Sequence, residues 1–283
     1  MNDPTFLCRS MLMTCALEPR VYDRALAAGA DIGTIDLEDS VPAAAKEQAR
    51  RLALPYFAGP RAAGLTRALR INSLRTADGL RDILALLDSG ARPDALLCPK
   101  VESAQDLLIL EELLGARHAG VGFLAVIETA AGMCAAEQIA AATRRTRALV
   151  FGAADYAASL GTDHQWETMA HARWRILVAA AAAGLAVIDA PCFHPGDEEL
   201  LESEIQRGRR MGFAGKAAVH PRQVAAINRG FSPQPAAIAH ARHILDRVES
   251  SAGHICVVDG EMIGPPAART ARRLLTMAHR IGG

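Results

Sequence analysis

The chain has 283 residues, of which 51% are hydrophobic, 22% are charged and 4% are aromatic, and its 31 basic and 31 acidic residues cancel. This composition is typical of a globular protein and excludes a disordered or collagen-like chain. The balanced charge and the few aromatic side chains argue against nucleic acid or a membrane surface as a partner.

Short apolar segments alternate along the chain with longer segments of helical periodicity. The predicted strands are 10–14, 32–37, 68–72, 95–99, 122–127, 148–152, 186–189 and 217–220. The predicted helices are 19–28, 42–54, 76–87, 103–114, 133–142, 168–183, 197–211 and 221–228, with Ser103 and Asp197 as N-caps. Strands that are buried on both faces read as short apolar runs. Eight strands in strict alternation with helices predict an α/β fold, a closed (β/α)₈ barrel rather than an open doubly wound sheet.

The alternating pattern stops near residue 230, and a different pattern follows. Helices are predicted over 236–248 and 267–279, with a short strand over 255–258 between them. We therefore expect a barrel catalytic domain over residues 1–230 and a helical extension over 231–283. The extension is expected to act as a lid over this barrel's mouth or as an arm swapped onto a neighbour's.

The cysteine pattern and the N-terminal segment indicate the cellular compartment of the protein. Six cysteines are scattered without a C-x-x-C pair, as expected for free thiols in a reducing environment. The segment Met1-Asn2-Asp3-Pro4 lacks the basic region of a signal peptide, and the longest apolar run, 176–188, is too short to span a bilayer. These features predict a cytoplasmic protein without a membrane partner.

Charged residues follow most of the predicted strands. They are Asp36, Glu38, Asp39, Arg70, Lys100, Glu102, Glu128, Asp155 and Asp189. In a parallel barrel the C-terminal strand ends carry the active site, so these side chains are expected to converge on one rim. A helix cap or a salt bridge explains any one carboxylate alone, but the whole set favours a shared site. Carboxylate ligands suit Mg²⁺ or Mn²⁺, and Glu128 with Asp155, on adjacent strands, is the best candidate pair.

Arg70 is expected to face this site. Its guanidinium can bind a substrate carboxylate in a bidentate manner and stabilise an enolate oxygen, and it can also pair with Glu38 or Asp39. Gly79 and Gly132 could each place a backbone N–H near an anion at a helix start, although a lone glycine is weak evidence. The histidine spacing does not suggest a zinc site.

Only three lysines occur, against 28 arginines. Lys46 is expected on an outer helix and Lys216 just before the last strand, which leaves Lys100 as the rim lysine. With acidic neighbours, an ion-paired ammonium is more consistent with the sequence than the neutral amine that a Schiff-base aldolase requires. A metal-assisted enolate is therefore favoured.

Several of these residues form ordered motifs. They are Arg9-Ser10, Asp36-Leu37-Glu38-Asp39-Ser40-Val41-Pro42 with Lys46, Arg70-Ile71-Asn72, Pro99-Lys100-Val101-Glu102, Ile127-Glu128-Thr129, Phe151-Gly152-Ala153-Ala154-Asp155, Gly212-Phe213-Ala214-Gly215-Lys216 and His220-Pro221-Arg222-Gln223. The chain resembles the HpcH/HpaI aldolase and citrate lyase β-subunit superfamily, in particular its CitE-like acyl-CoA lyase branch. The resemblance extends from about residue 9 to residue 275.

The resemblance implies a (β/α)₈ barrel that assembles as a homotrimer or hexamer. It implies an enzyme that cleaves or forms carbon–carbon bonds in 3-hydroxy acyl thioesters, releasing a 2-oxo acid, with Mg²⁺ as cofactor. The expected catalytic residues are Arg70, Glu38 and Asp39. The expected substrate-binding residues are Arg70, Glu128, Arg9, Lys100 and Gly132. The expected metal ligands are Glu128 and Asp155.

The chain departs from the family pattern in two places. Thr14-Cys15-Ala16 replaces a Val-Pro-Gly segment near the start, and Gly264 stands where acyl-CoA lyases commonly have an aspartate that acts as acid/base across a subunit boundary. Because glycine cannot move a proton, we expect weak activity on malyl-CoA or citramalyl-CoA, unless Asp259 or Glu261 substitutes. Three hypotheses therefore stay open: a carbon–carbon lyase acting on a CoA-type thioester, a metal-dependent aldolase acting without CoA, and a non-catalytic barrel that binds a metal and a 2-oxo acid.

Overall fold

The structure is a computed structural model that describes residues 6–18, 20–59, 64–251, 254–258 and 260–282. The chain divides into two compact units, Met1–Gly230 and Phe231–Gly283. Among the described residues, no helix combines the length and the apolar character that crossing a membrane requires.

The first unit contains a closed barrel of eight parallel strands in sequence order. The strands are β1 (Ser10–Cys15), β2 (Ile32–Asp36), β3 (Thr66–Arg70), β4 (Ala95–Cys98), β5 (Gly122–Ile127), β6 (Thr146–Phe151), β7 (Ala186–Asp189) and β8 (Gly215–Ala218). The barrel closes where β1 pairs with β8, with Met11 opposite Ala217. The predicted (β/α)₈ fold is confirmed.

Helices surround the barrel. They are α1 (Arg20–Ala28), α2 (Lys46–Ala53), α3 (Ala77–Asp88), α4 (Ala104–Leu114), α5 (Ala130–Cys134), α6 (Ala136–Ala141), α7 (Ala153–Leu160), α8 (Ala170–Ala183), α9 (Glu198–Met211) and α10 (Pro221–Phe231). The Ser103 side chain caps α4 in a capping box with Asp106, and the Asp197 carboxylate accepts a hydrogen bond from the Leu200 N–H at 2.9 Å, so both predicted N-caps are confirmed.

Two helical segments differ from the prediction. The helix predicted over 133–142 is a pair of short helices, α5 and α6, that meet at Ala135. Helix α7 was not predicted, because it has eight residues and its N-cap, Gly152, provides no side-chain cap. Gly161, in a left-handed conformation at φ 70°, ends it.

Side chains alternate between the barrel interior and the helix layer along each strand, with a period of two. The interior cluster includes small side chains on several strands, among them Ala68, Ala95, Ala148 and Ala217. Such small residues leave free volume inside the barrel, and this volume becomes the candidate site.

The second unit has a core of its own. It consists of α11 (Pro235–Ser250), the antiparallel hairpin β9 (Cys256–Val258) and β10 (Glu261–Ile263), and α12 (Pro265–Gly282). Strand β10 was not predicted, and Asp259 lies outside the described residues. The inner side of the hairpin, with Val258 and Ile263, packs with α11 and α12. The role of this unit as a lid or swapped arm stays a prediction.

Candidate active site

A cavity of about 550 Å³ opens at the C-terminal ends of the barrel strands. The predicted residues Asp39, Arg70, Glu128 and Asp155 all line it. Side chains that are distant in sequence therefore meet at the C-terminal ends of the strands. Arg70 ends β3 in its inward phase, and Glu128, directly after β5, continues the inward phase of that strand.

Arg70 is held by three carboxylates. Its Nε and Nη2 atoms each donate to Asp36, at 2.6 Å, and its Nη1 atom lies 2.9 Å from Glu38 Oε2 and 3.5 Å from Asp39 Oδ2. The expected pairing with Glu38 and Asp39 occurs, but the bidentate partner is Asp36. Asp36 was expected on the rim but was not assigned a catalytic, substrate-binding or metal-binding role, although it is the last residue of β2 and in phase with the interior.

The ionisation of Asp36 depends on this pairing. Burial raises the pKa of Asp36, but the hydrogen bonds and charge of Arg70, with the N–H donors of Glu38 and Ser40, outweigh burial and hold the pKa below its usual value. Asp36 is therefore an ionised carboxylate that accepts two hydrogen bonds from Arg70 and orients its guanidinium into the cavity.

Glu38 and Lys100 lie behind Arg70 and do not line the cavity. The Lys100 ammonium donates to Glu38, and its Nζ atom lies 3.5 Å from Asp39 Oδ1. Burial alone would lower the pKa of Lys100, but its hydrogen bond to Glu38 and the surrounding carboxylates raise it, so Lys100 stays an ammonium. This agrees with the expected ion pair and disfavours a Schiff-base nucleophile.

Lys100 also acts through its backbone. Its φ of 50° lies in the left-handed region, which is uncommon for a residue with a side chain. In this conformation its N–H donates to Glu128 Oε1 at 2.8 Å. Lys100 thus contacts two carboxylates of the site, Glu38 through its ammonium and Glu128 through its N–H.

Glu128 is 3% exposed. Burial, followed by the charges of Glu38 and Asp155, raises its pKa from 4.5 to about 8, against the opposing Lys100 N–H. A Cβ atom at Gly152 would collide with Glu128 Oε2, so only glycine leaves room for this carboxylate. Sequence reasoning did not assign a role to Gly152, although it stands inside the Phe-Gly-Ala-Ala-Asp motif.

The donor set fits a hard divalent cation. Glu128 and Asp155 supply carboxylate oxygens, and within the described part of the chain no group of three or more His, Cys, Asp or Glu side chains could hold a metal. Zinc sites typically have three or four such protein ligands, whereas Mg²⁺ typically takes one or two carboxylates and keeps its other positions for water and substrate oxygens. A cation would also supply the opposite charge that the buried Glu128 carboxylate requires.

Arg9, which was predicted to bind substrate, does not line the cavity. Arg9 precedes β1 and therefore lies at the N-terminal end of the barrel, opposite the cavity. Its guanidinium pairs with Asp31 in a bidentate manner, at 2.9 Å from Nε and 2.7 Å from Nη2. This ion pair joins the segments that precede β1 and β2, and its place indicates a structural role.

Gly132, which was also predicted to bind substrate, does not line the cavity either. The Gly132 N–H donates to the Thr129 side chain at 3.0 Å and is not available to an anion. A Cβ atom at this position would collide with the backbone oxygen of Val101, so the glycine is required for close packing. The Gly79 N–H is likewise taken by Thr76, at 3.1 Å.

Two charged residues of the last strands lie away from the cavity, and for Asp189 this differs from the prediction. Asp189 and Lys216 point out of the barrel, where Lys216 Nζ lies 3.2 Å from Asp189 Oδ2 and 2.8 Å from Glu204 Oε2 of α9. Their outward phase in β7 and β8 removes Asp189 from the rim. Lys46 lies on the outer helix α2, as predicted, and is half-buried there, since its Nζ donates to the backbone oxygens of Leu37 and Glu38, each at 2.7 Å.

A family model described as HpcH/HpaI aldolase/citrate lyase matches residues 9–221 of this chain. The chain belongs to this family. Its sequence is 31% identical to the L-malyl-CoA/beta-methylmalyl-CoA lyase of Rhodobacter capsulatus, over 97% of this chain and 96% of that protein. The predicted family is therefore confirmed.

Two solved structures of other proteins share the fold. RipC from Yersinia pestis is 44% identical, with a TM-score of 0.73 over 83% of this chain and 99% of that one. The CitE protein of Mycobacterium tuberculosis, solved in complex with magnesium, acetoacetate and coenzyme A, is 31% identical, with a TM-score of 0.80 over 95% of this chain and 97% of that one.

Proposed function

We propose that this protein is a Mg²⁺-dependent carbon–carbon lyase that cleaves, or forms, a 3-hydroxy acyl-CoA-type substrate and releases a 2-oxo acid. The observation that carries the proposal is the cavity in which Arg70 lies with the carboxylates of Glu128 and Asp155. The malyl-CoA lyase relative and the CitE complex with magnesium and coenzyme A support this reaction class.

Glu128 and Asp155 are the residues that would hold Mg²⁺, or Mn²⁺ in its place. When bound, the cation supplies a Lewis acid that polarises the substrate's oxygen atoms. Because its pKa is raised, Glu128 would have to give up a proton near neutral pH in order to hold the cation. Asp155 belongs to the first turn of α7 and is only half-buried, so it can approach the ion from the cavity side.

Arg70 is proposed to bind the carboxylate of the 2-oxo acid and to stabilise charge on its oxygen. Asp36 fixes the orientation of the guanidinium, and Glu38 with Lys100 supports it from behind. Asp39 has a side chain that is 53% exposed and lines the cavity, so it can contact the substrate directly.

In the cleavage direction, the substrate hydroxyl gives its proton to a base and becomes the carbonyl group of the 2-oxo acid. The bond between that carbon and the thioester's α-carbon breaks, and its electron pair forms the thioester enolate, which then takes up a proton. Gly264 has no group that could deliver this proton. We therefore expect turnover of malyl-CoA and citramalyl-CoA well below about 10 s⁻¹, the median for enzymes.

We further propose a cytoplasmic homo-oligomer, either a trimer or a hexamer. The cytoplasm is supported by the six cysteines, all of which are free. Assembly is supported by Trp174 and Val178, which lie one turn apart on α8 and are 54% and 61% exposed. Light scattering would test the oligomeric state.

Activity is tested by incubating the purified protein and MgCl₂ with malyl-CoA, citramalyl-CoA or citryl-CoA, and in parallel with free 4-hydroxy-2-oxo acids. The released 2-oxo acid is measured as its phenylhydrazone. We expect slow, EDTA-sensitive release from a thioester, and loss of that release in Glu128→Gln and Asp155→Asn. Retained turnover in either variant would refute the metal assignment.

The same panel separates the alternative functions. Cleavage of the free acids alone would identify an aldolase that acts without CoA. Tight binding of a 2-oxo acid without turnover of any compound would identify a non-catalytic barrel. As a matched control, Glu112→Gln removes an exposed carboxylate of α4 and should leave the release rate unchanged.

A further inference from the structure

The lower half of the active-site cavity differs chemically from its rim. Below the charged residues, the cavity wall consists of apolar side chains that we call the apolar floor: Met11, Met13, Leu97, Val126, Val150 and Ala217. In β5, Val126 precedes Glu128 by one inward-facing position, and in β6 Val150 stands in the same relation to Gly152. Two residues of a strand span roughly 6.6 Å, so the floor begins one layer of side chains below the polar rim.

The floor is the side of the interior core cluster that faces the cavity. Ala217 of β8 is 3% exposed and belongs to the interior cluster, where a larger side chain would occupy the cavity. Leu97 and Val126 are 2% and 5% exposed and form the opposite wall. The cavity therefore ends in an apolar compartment whose walls expose little surface to water.

The charges at the rim restrict what this compartment can bind. Among the described residues that line the cavity, Arg70 is the one cationic side chain, against the carboxylates of Asp36, Asp39, Glu128 and Asp155. Arg70 and the cation can serve one substrate carboxylate. A second carboxylate on the floor would have no cationic or hydrogen-bonding partner there, and burying an unpaired charge is strongly unfavourable.

The reacting carbon relates the floor to the substrate. This carbon carries a carboxylate, an oxygen, the scissile carbon–carbon bond and one substituent. The carboxylate and oxygen belong at the charged rim, and the scissile bond must point to the mouth, because a CoA thioester is too large for the cavity. The remaining direction, for the substituent, leads to the floor.

We propose that the apolar floor binds the hydrocarbon substituent of the 2-oxo acid, so that the enzyme prefers 2-oxo acids with an unbranched alkyl chain over glyoxylate and over 2-oxo diacids. This inference rests on the proposed function and specifies its substrate class. Binding should strengthen with each methylene that the floor buries, by about fourfold per group.

The test is a calorimetric titration of the full-length protein in MgCl₂ with glyoxylate, pyruvate, 2-oxobutyrate and oxaloacetate. We expect the Kd to fall about fourfold from glyoxylate to pyruvate and about fourfold again to 2-oxobutyrate. Oxaloacetate should bind about tenfold or more weakly than 2-oxobutyrate, because its second carboxylate falls on the apolar floor.

Three variants test whether the substituent of the 2-oxo acid binds at the apolar floor. Ala217→Val fills the floor and should weaken binding of 2-oxobutyrate while leaving glyoxylate unchanged. Ala214→Val adds the same group just before β8, where Ala214 packs against the interior cluster without lining the cavity, and should change neither Kd. Val126→Ala enlarges the floor, should improve binding of 2-oxovalerate relative to pyruvate, and tests the proposal even if Ala217→Val does not fold.

The two proposals fail in different ways. If 2-oxo acids bind in a Glu128-dependent manner but equally well whatever their substituent, or if oxaloacetate binds tightest, the floor assignment is overturned and the proposed function stands. If none of the acids binds, with or without MgCl₂, both are overturned.

Discussion

Replacing Glu128 by Gln should stabilise the metal-free protein, and increasingly so as the pH rises. Burial, with the charges of Glu38 and Asp155, raises the pKa of Glu128 from 4.5 to about 8. Between these values the folded protein keeps a proton on Glu128 that the unfolded chain has released. Wild-type stability therefore falls as the pH rises through this window, and the loss is complete above pH 8. A shift of this size corresponds to about 5 kcal/mol in the free energy of unfolding.

Glutamine removes this dependence without disturbing the packing. It has the same shape, and its amide oxygen can still accept the hydrogen bond from the Lys100 N–H. Urea unfolding in EDTA should give similar free energies for the variant and the wild type at about pH 5, and a variant more stable by about 3–5 kcal/mol at about pH 9. The exposed control Glu112→Gln should follow the wild-type curve at both values.

Parallel pH profiles for wild type and Glu128→Gln would refute the reasoning, because they would show that the carboxylate carries no desolvation cost in the folded state. A second arm of the same assay adds MgCl₂ at about pH 9. The cation should raise the unfolding free energy of the wild type by mass action, and should have no effect on the variant.

Three further substitutions test the architecture of the site. Asp36→Asn removes the carboxylate that pairs with Arg70. Urea unfolding should show a free energy of unfolding lower by about 3–5 kcal/mol, and the KM of the thioester substrate should rise. Arg9→Met breaks the pair with Asp31 at the far end of the barrel and should lower stability by about 1–3 kcal/mol while leaving KM unchanged, whereas a raised KM would show that Arg9 reaches the substrate. Gly132→Ala forces a Cβ atom against a backbone oxygen and should lower the melting temperature, at a cost of about 1–3 kcal/mol, and an unchanged melting temperature would contradict the close packing.

The strands are the elements that the sequence predicts most accurately. Strands β5 and β7 lie where they were predicted, because runs such as 122–127 are apolar throughout and contain no competing helical period. Helix α7 escaped prediction because a short alanine-rich segment without a capping side chain carries no local signal. Strand β10 escaped for a similar reason, since three residues are too few to show an alternation.

The same rule that found the site also produced its main error. Charged residues at strand ends were expected on one rim, and this holds for Arg70 and Glu128. It does not hold for Asp189, which is 1% exposed and pairs with Arg173 of α8 at 2.9 Å. A shift of one residue along a strand reverses the side on which a side chain lies, and the position of the strand end alone does not fix that phase.

The sequence by itself determined the barrel, the family and the residue types of the site, since each depends on local order: apolar period, motif and strand end. Only the tertiary structure decided that Asp36 holds Arg70, that Lys100 acts through a left-handed backbone, and that Gly152 makes room for Glu128. These contacts join residues far apart in sequence, so the folded backbone fixes their distances. The charges illustrate the same difference between sequence and fold. The 31 basic and 31 acidic residues of the sequence cancel, yet the fold places four carboxylates and one arginine around one cavity.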